Sequence, residues 1–136
     1  DYAGIDNPSF TQGRSFRKNV AGQTPEDWRQ TMYYRYWAHA PVRPGHFGIR
    51  NHRYKLAFFY GQHLDLEGTQ KENTEPAWEF FDLVKDPREN YNAYNDPEYA
   101  PVIKGMKKEL LKERELVGDT DLEFPVVKEI LERHWD

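Results

Sequence analysis

Apolar and polar side chains alternate with a period of two along three successive stretches of the chain, and this pattern predicts β-strands. The first predicted strand covers Met32–Ala40, the second covers His46–Arg50 and the third covers Arg53–Tyr60. A turn rich in Pro and Gly separates the first two, and Asn51-His52 connects the second to the third. The same period recurs in a fourth predicted strand, Trp78–Leu83, after a long polar loop. Short connections between consecutive strands favour an antiparallel sheet.

A helical period replaces the strand period after Asp96-Pro97, which is a helix-start signal. Gly118 provides the matching stop signal. The apolar side chains that recur at helical spacing are Tyr99, Ile103, Met106, Leu110 and Val117. The polar residues predicted to face solvent are Lys104, Lys107, Lys108, Glu109 and Lys112. We therefore predict an α+β fold in which a four-stranded antiparallel sheet packs against one long C-terminal amphipathic helix.

The chain divides by composition into three predicted parts. Residues 1–31 are rich in Pro, Gly, Asn, Ser and Thr, which predicts an extended N-terminal arm with one short turn near Trp28. Residues 32–118 hold the predicted α+β subdomain, and residues 119–136 form a tail with a short helix at Val126–Trp135. The opening residues read as the end of a helix closed by Gly4, so we expect the chain to be a fragment of a longer protein.

Charge and composition exclude several function classes. The net charge is −4 with both signs mixed along the sequence, so no basic field for nucleic acid is expected. No apolar run is long enough to predict a membrane span. Cysteine is absent, which excludes disulfides and thiolate metal sites. Only 38% of the residues are hydrophobic while 15% are aromatic, so a thin core of large rings with one sheet face covered by another domain is expected.

The order of the aromatic segments carries a family resemblance. These segments are Tyr33–Trp37, His46–Arg50, Tyr54–Gly61, Trp78–Leu83 and Asp86–Asn92. In this order they resemble the C-terminal subdomain of type I sulfatases, the calcium-dependent sulfate-ester hydrolases of the alkaline-phosphatase-like superfamily. Asp1–Ile5 and Gln12–Phe16 also resemble the segment that joins the large catalytic domain of that family to its small one. The resemblance covers nearly the whole chain.

What the resemblance implies lies partly outside this sequence. Sulfatases of this family use a formylglycine, made from the Cys or Ser of a Cys/Ser-x-Pro-x-Arg motif, together with a calcium ion. No such motif occurs here. We therefore expect the nucleophile and the metal site in a catalytic domain on the same chain, and no sulfatase activity from this fragment alone. The resemblance further implies a sulfated substrate, expected to be a sugar, and a periplasmic or secreted parent enzyme.

Three residues are candidates for contacts with such a substrate. His46 and Arg50 share one face of the second predicted strand with only Gly48 between them, and a Gly there leaves room for a ligand or another backbone. Arg suits anionic oxygens and His suits a hydroxyl or a sulfate oxygen. The alternative is structural, with Arg50 paired to an acidic residue across a domain interface and His46 capping a turn. His39 is the third candidate because it ends the first predicted strand and is expected to be exposed.

Trp37 has two readings on that strand. It alternates with Arg35 and His39 on a face predicted to abut His46, so its ring could serve as a platform for a sugar. Packing is the commoner role of a strand Trp and is the interpretation we favour. For the whole chain, the alternatives to a sulfatase subdomain are a free-standing carbohydrate- or anion-binding module and a structural interaction domain.

Overall fold

A computed structural model of the protein describes residues 2–11 and 13–136. Asp1 and Gln12, which begin the two N-terminal segments of the resemblance, lie outside the described residues. The chain separates into two compact units, Asp1–Gln30 and Thr31–Asp136. The predicted boundaries of the arm, the subdomain and the tail remain predictions.

The first unit contains a short helix that the sequence analysis did not predict. This helix, α1, covers Arg17–Val20, where neither Pro nor Gly interrupts the backbone. The Val20 N–H donates to the Phe16 carbonyl at 3.1 Å and closes the turn. The predicted turn near Trp28 is present, since the Trp28 N–H donates to the Pro25 carbonyl at 3.0 Å. An exposed ion pair between Arg14 and Asp27 links the two halves of the unit.

The second unit is built on the predicted sheet. Its strands are β1 (Met32–Tyr36), β2 (His46–Arg50), β3 (Tyr54–Phe59) and β4 (Ala77–Asp82). They lie in the order β1-β2-β3-β4, and each pair of neighbours is antiparallel. Residues of one strand therefore alternate between a face packed on the helices and an opposite face. This architecture confirms the predicted α+β class.

The first strand ends earlier than predicted, at Tyr36 instead of Ala40. Beyond Tyr36 the backbone leaves the sheet, and Ala40 and Arg43 exchange two backbone hydrogen bonds of 3.2 and 2.8 Å across a tight turn. His39 becomes completely buried by this change of direction. The prediction of a strand through Ala40 is therefore wrong, because a local turn and the burial of one side chain replace continued pairing with β2.

The predicted long helix is present and begins as the Asp-Pro signal indicates. A single 3₁₀ turn at Pro97–Tyr99 leads into α2, Ala100–Val117, and α3 covers Pro125–Arg133. The Asp96 carboxylate accepts a hydrogen bond from the Glu98 N–H at 2.9 Å. Gly118 ends α2 in the left-handed conformation, at a φ of 75° that favours glycine.

The core lies between the helices and one face of the sheet. Four of the five apolar residues predicted for α2 are buried, namely Tyr99, Ile103, Met106 and Leu110. Val117 was predicted to join them but is exposed, because Arg114 occupies the last buried position of the helix. Lys107 was predicted to face solvent and is instead buried. Its ammonium lies 4.5 Å from the centre of the Trp78 ring and donates a hydrogen bond to the Trp135 carbonyl.

Two arginines and two aspartates form a buried charge cluster, which consists of Arg35, Arg114, Asp119 and Asp121. Arg35 of β1 donates to Asp119 and, at 2.8 Å, to Asp121. Arg114 of α2 donates to Asp121. The Tyr33 hydroxyl donates to Asp119. Burial, followed by this bond to Asp119, raises the pKa of Tyr33. The cluster joins the edge strand, the end of α2 and the turn before α3 through paired charges.

The long loop between β3 and β4 is irregular, as predicted, and backbone hydrogen bonds hold it at its base. The Thr74 N–H donates to the Gly61 carbonyl at 2.9 Å. A second backbone bond, 2.8 Å long, runs from the Gln70 N–H to the His39 carbonyl. Leu64 and, in part, Leu66 pack against the core, while Asp65, Glu67 and Gly68 are exposed.

Asp82 is the last residue of β4, and its carboxylate accepts hydrogen bonds from several donors. It accepts hydrogen bonds from Arg53 at 2.9 Å, from the Tyr99 hydroxyl at 3.2 Å and from the Val84 N–H at 3.1 Å. The Arg53 guanidinium and, to a smaller extent, the backbone donors lower the pKa of Asp82 to about 2. The charged form is therefore the one that the fold stabilises.

Replacing this carboxylate is expected to cost stability in a pH-dependent way. Asp82→Asn should lower the free energy of unfolding by about 1.5–3 kcal/mol at neutral pH, because it removes hydrogen bonds to a charged acceptor. The folded-state pKa is depressed to about 2 from an ordinary 3.8. The contribution should therefore be complete above roughly pH 5 and should disappear as the pH falls through the folded-state value. Urea denaturation of the wild type and of Asp82→Asn at a series of pH values measures this. The difference between their free energies of unfolding should decrease as the pH falls.

Glu98→Gln provides the matched control for this experiment. Glu98 pairs with Lys85 at 2.8 Å, and both side chains are largely exposed. Removing such an exposed pair is expected to change the free energy of unfolding much less than Asp82→Asn does. Equal effects of the two substitutions would contradict the special role of Asp82.

Candidate functional site

Two of the three candidate residues, His46 and Arg50, lie on the sheet face that points away from the helices, which we call the open face. The register places Tyr36 opposite His46, and His46 opposite Phe59. Alternation along each strand then assigns the other members of this face. They are Met32, Tyr34, Gly48, Arg50, Lys55, Ala57, Ala77, Glu79 and Phe81. His46 and Arg50 thus share one face of β2, as the sequence predicted.

His46 is half-buried among three aromatic rings. Its imidazole stacks on Tyr36 at a centroid distance of 5.5 Å, meets the edge of Tyr34 at 6.0 Å and contacts Phe59 at 4.6 Å. The His46 Nδ1 lies 2.8 Å from the Pro44 carbonyl oxygen. Because a carbonyl oxygen only accepts hydrogen bonds, Nδ1 carries a proton and the neutral ring keeps its lone pair on Nε2. The ring is therefore fixed in both orientation and tautomer.

Gly48 does not leave an open space between His46 and Arg50. A Cβ atom at this position would overlap the Leu56 carbonyl oxygen and would lie 2.8 Å from the Tyr34 hydroxyl. The expected room for a ligand is therefore filled by the backbone of β3 and by a side chain of β1. The glycine permits close packing within the sheet.

Arg50 lies at the exposed end of β2, opposite Lys55 of β3. Lys55 forms an ion pair with Glu89. Among the residues that the structure describes, none forms an ion pair with Arg50, so its guanidinium is open to groups outside this chain. Its position suits either a domain contact or an anionic ligand.

His39 lies elsewhere, in the interior, and the expectation that it is exposed is wrong. Its Nδ1 accepts a hydrogen bond from the Gly45 N–H at 3.1 Å, and its Nε2 donates to the Glu72 carbonyl at 2.8 Å. Both ring nitrogens are thus engaged in this neutral tautomer. His39 connects the turn before His46 with the long loop.

The predicted grouping of Arg35, Trp37 and His39 beside His46 is also wrong. His46 contacts Tyr34 and Tyr36, which point to the opposite side of β1 from Arg35. The Arg35 guanidinium lies 3.7 Å from the centre of the Trp37 ring. Trp37 also contacts Phe124 at 5.6 Å, which agrees with the packing interpretation.

Two groups on the open face were missed by the sequence analysis. The Tyr34 hydroxyl is buried and has no hydrogen-bond partner in the described part of the chain. Burial, and then the charges of Glu89 and Glu79, raise the pKa of Tyr34 to about 12. Burial also raises the pKa of Glu79, against the opposing effects of Lys55 and His46. The signal for Glu79 was its place between Trp78 and Phe80, which assigns it to the face opposite the core.

Metal ligands and membrane segments were sought among residues 2–11 and 13–136. In these ranges, no group of three or more His, Cys, Asp or Glu side chains is arranged to hold a metal ion. The described helices include none that is both long and apolar enough to cross a membrane. The calcium ion that the resemblance implies therefore does not fit the described side chains.

Comparison with known proteins identifies a family match over most of the chain. Residues 1–116 match the family described as N-sulphoglucosamine sulphohydrolase, C-terminal. An N-acetylglucosamine-6-O-sulfatase of Bacteroides thetaiotaomicron is 34% identical over 127 residues. The match covers 89% of this chain and 20% of that protein, so the chain spans about a fifth of the length of this relative.

Solved structures show the same fold. One is an enzyme in complex with its substrate D-glucosamine-2-N,6-O-disulfate, with 32% identity and a TM-score of 0.72. That match covers 88% of this chain and 23% of the other. A second is a 2-O GAG sulfatase with 22% identity and a TM-score of 0.63, covering 89% of this chain and 23% of the other. The second likeness concerns the fold alone.

The close packing at Gly48 leads to a paired prediction. Gly48→Ala is expected to lower stability by about 1–3 kcal/mol, because the new methyl group must displace β3 or the Tyr34 ring. Thermal unfolding should detect this as a lower Tm. Gly105→Ala is the control, since a Cβ at Gly105 meets open space on α2. That substitution should raise stability by about 0.5–1 kcal/mol through helix propensity. Unchanged stability of Gly48→Ala would contradict the packing described here.

Proposed function

Because the chain belongs to the N-sulphoglucosamine sulphohydrolase C-terminal family, we propose that it completes the fold of a sulfuric ester hydrolase and shapes the substrate side of its pocket. The observation that carries this proposal is the family match over residues 1–116. The 34% identity to a 6-O-sulfatase supports the same reaction class for the parent enzyme. A free-standing binding module or interaction domain is not favoured by this match.

The proposed substrate is a sulfated amino sugar. Two relatives support this choice, one named as an N-acetylglucosamine-6-O-sulfatase and one solved with D-glucosamine-2-N,6-O-disulfate. The formylglycine and calcium that the resemblance implies would belong to the catalytic domain on the same chain. No step of the sulfate chemistry is assigned to the residues described here.

The open face is proposed to contact that catalytic domain. Glu79 on this face is held partly out of water, and burial raises its pKa. A neighbouring domain that supplies a hydrogen-bond donor to Glu79 would offset this cost. Arg50 at the edge of the same face is available for an acidic partner or a sulfate group.

His46 is proposed to contact the sugar rather than the sulfur centre. Its protonated Nδ1 bonds to the Pro44 carbonyl, which leaves the Nε2 lone pair to accept a hydrogen bond from a sugar hydroxyl. The rings of Tyr36 and Phe59 hold the imidazole in place. His39 is proposed as a positioning residue, because it binds the backbone N–H of Gly45 next to His46.

The fragment itself is expected to be inactive. Purified protein consisting of these 136 residues should not hydrolyse aryl sulfates, with or without added calcium, because the expected nucleophile is absent from the sequence. A chromogenic sulfatase assay with the full-length enzyme as positive control tests this. Calcium-dependent turnover by the fragment would overturn the assignment of the chemistry to the catalytic domain.

In the full-length enzyme, His46→Ala should impair the natural sulfated sugar more than a small aryl sulfate. Loss of one hydrogen bond to a neutral hydroxyl costs about 0.5–1.5 kcal/mol. The expected decrease in kcat/KM is therefore roughly three- to tenfold for the sugar. The aryl sulfate lacks the hydroxyl and should be hydrolysed at nearly the original rate.

His52→Ala is the matched control for this measurement. His52 is exposed in the turn between β2 and β3, and it makes none of the ring contacts described for His46. Its replacement should leave both substrates unaffected. Equal losses of kcat/KM on both substrates for His46→Ala would indicate a structural role. No loss on either would indicate that His46 only forms its hydrogen bond to the Pro44 carbonyl in the turn.

A further inference from the structure

A groove beside α2 combines aromatic rings with several lysines. It has a volume of about 460 Å³, and its lining includes Lys104, Lys107 and Lys108 of α2 together with Tyr94 and Trp135. We refer to it as the α2 groove. It lies on the helix side of the sheet, so it is separate from the open face that carries His46. Its residues have no role in the function proposed above.

The two exposed lysines of the groove carry charges that their own helix does not balance. Lys104 and Lys108 are one turn apart on α2, and like charges at this spacing destabilise a helix. None of the acidic residues of α2 lies three or four positions from either lysine. In the described part of the chain, no ion pair involves them, and Asp136 is the acidic residue in the lining. A protein with a net charge of −4 thus keeps a local positive site.

The third lysine organises the aromatic wall. The Lys107 ammonium lies within 5.2 Å of the ring centres of Tyr94 and Trp135, and it donates to the Trp135 carbonyl. Burial lowers the pKa of Lys107. The Tyr94 ring also stacks on Trp78 at 5.9 Å with an interplanar angle of 6°. The rings are therefore held in place before any ligand binds, which reduces the entropy cost of binding.

We propose that the α2 groove binds a sulfated polysaccharide at a distance from the site of hydrolysis. Lys104 and Lys108, separated by a helical rise of about 6 Å, would contact sulfate groups along the chain. Tyr94 and Trp135 would pack against the apolar faces of the sugar rings. This inference rests on the proposed function, because it assigns to the groove a ligand of the same chemical class, a sulfated sugar, as the proposed substrate.

The test uses the full-length enzyme and heparin as the probe. Lys104→Gln combined with Lys108→Gln is expected to weaken heparin binding about tenfold at low ionic strength, because two exposed charge contacts are lost. Lys18→Gln combined with Lys71→Gln removes the same charge from exposed positions elsewhere, and it should change the affinity less than about twofold. Both double variants should hydrolyse a sulfated monosaccharide at the original rate, and neither should lower the Tm.

Several outcomes would overturn this inference. An equal loss of heparin affinity in both double variants would show that binding depends on the overall charge and not on the α2 groove. Binding of a desulfated polymer with the same affinity would remove the role of sulfate, and equally tight binding of a single-stranded oligonucleotide would show a site for polyanions in general. Monosaccharide turnover by the unmodified enzyme is measured separately. Absence of monosaccharide turnover would overturn the proposed function. The comparison of heparin affinities would still show whether the α2 groove binds the polymer.

Discussion

Pairing of buried charges is the constraint on which the second unit depends. Arg35 and Arg114 are both removed from water, and such groups are tolerated only when acidic partners lie beside them. Asp119 and Asp121 supply those partners from the turn that follows α2. The first strand, the end of the helix and the start of the last helical segment must therefore adopt their positions together. Loss of one member would leave the others charged and buried.

This constraint also reaches the opposite face of the sheet. Because side chains alternate along β1, the inward position of Arg35 fixes Tyr34 and Tyr36 on the outer side. These two rings surround His46 and define the direction of its free nitrogen. A shift of β1 by one residue would exchange the arginine for a tyrosine in the core and remove the aromatic surroundings of the histidine. The buried charge cluster and the surroundings of His46 therefore both depend on the position of β1.

The sequence predicted those parts of the fold that local signals determine. Alternation located β2 through β4, and the Asp96-Pro97 and Gly118 signals located α2, because each depends on neighbours within one turn or one strand. The resemblance to sulfatases also identified the family. His39 and Lys107 were misplaced for a different reason. Their burial depends on the Glu72 and Trp135 carbonyls, which are distant in sequence and leave no local periodicity.

The candidate site was predicted only in part for the same physical reason. Strand alternation was enough to place His46 and Arg50 on one face. It could not show that Tyr34 fills the space above Gly48, because that contact depends on how β1 pairs with β2. The tautomer of His46 likewise depends on a turn geometry that composition does not specify.

The hydrogen bonds at the base of the loop between β3 and β4 have an evolutionary consequence. Hydrogen bonds at Gly61 and Gln70 hold the loop, and Leu64 and Leu66 pack against the core, whereas Asp65, Glu67 and Gly68 are exposed. Each doubling of the length of a flexible loop costs only about 0.6 kcal/mol in closure entropy. Lineages can therefore insert or delete residues at this tip without moving the strands below it. Such variation gives descendants of one ancestral subdomain a way to diversify its periphery while the sheet stays constant.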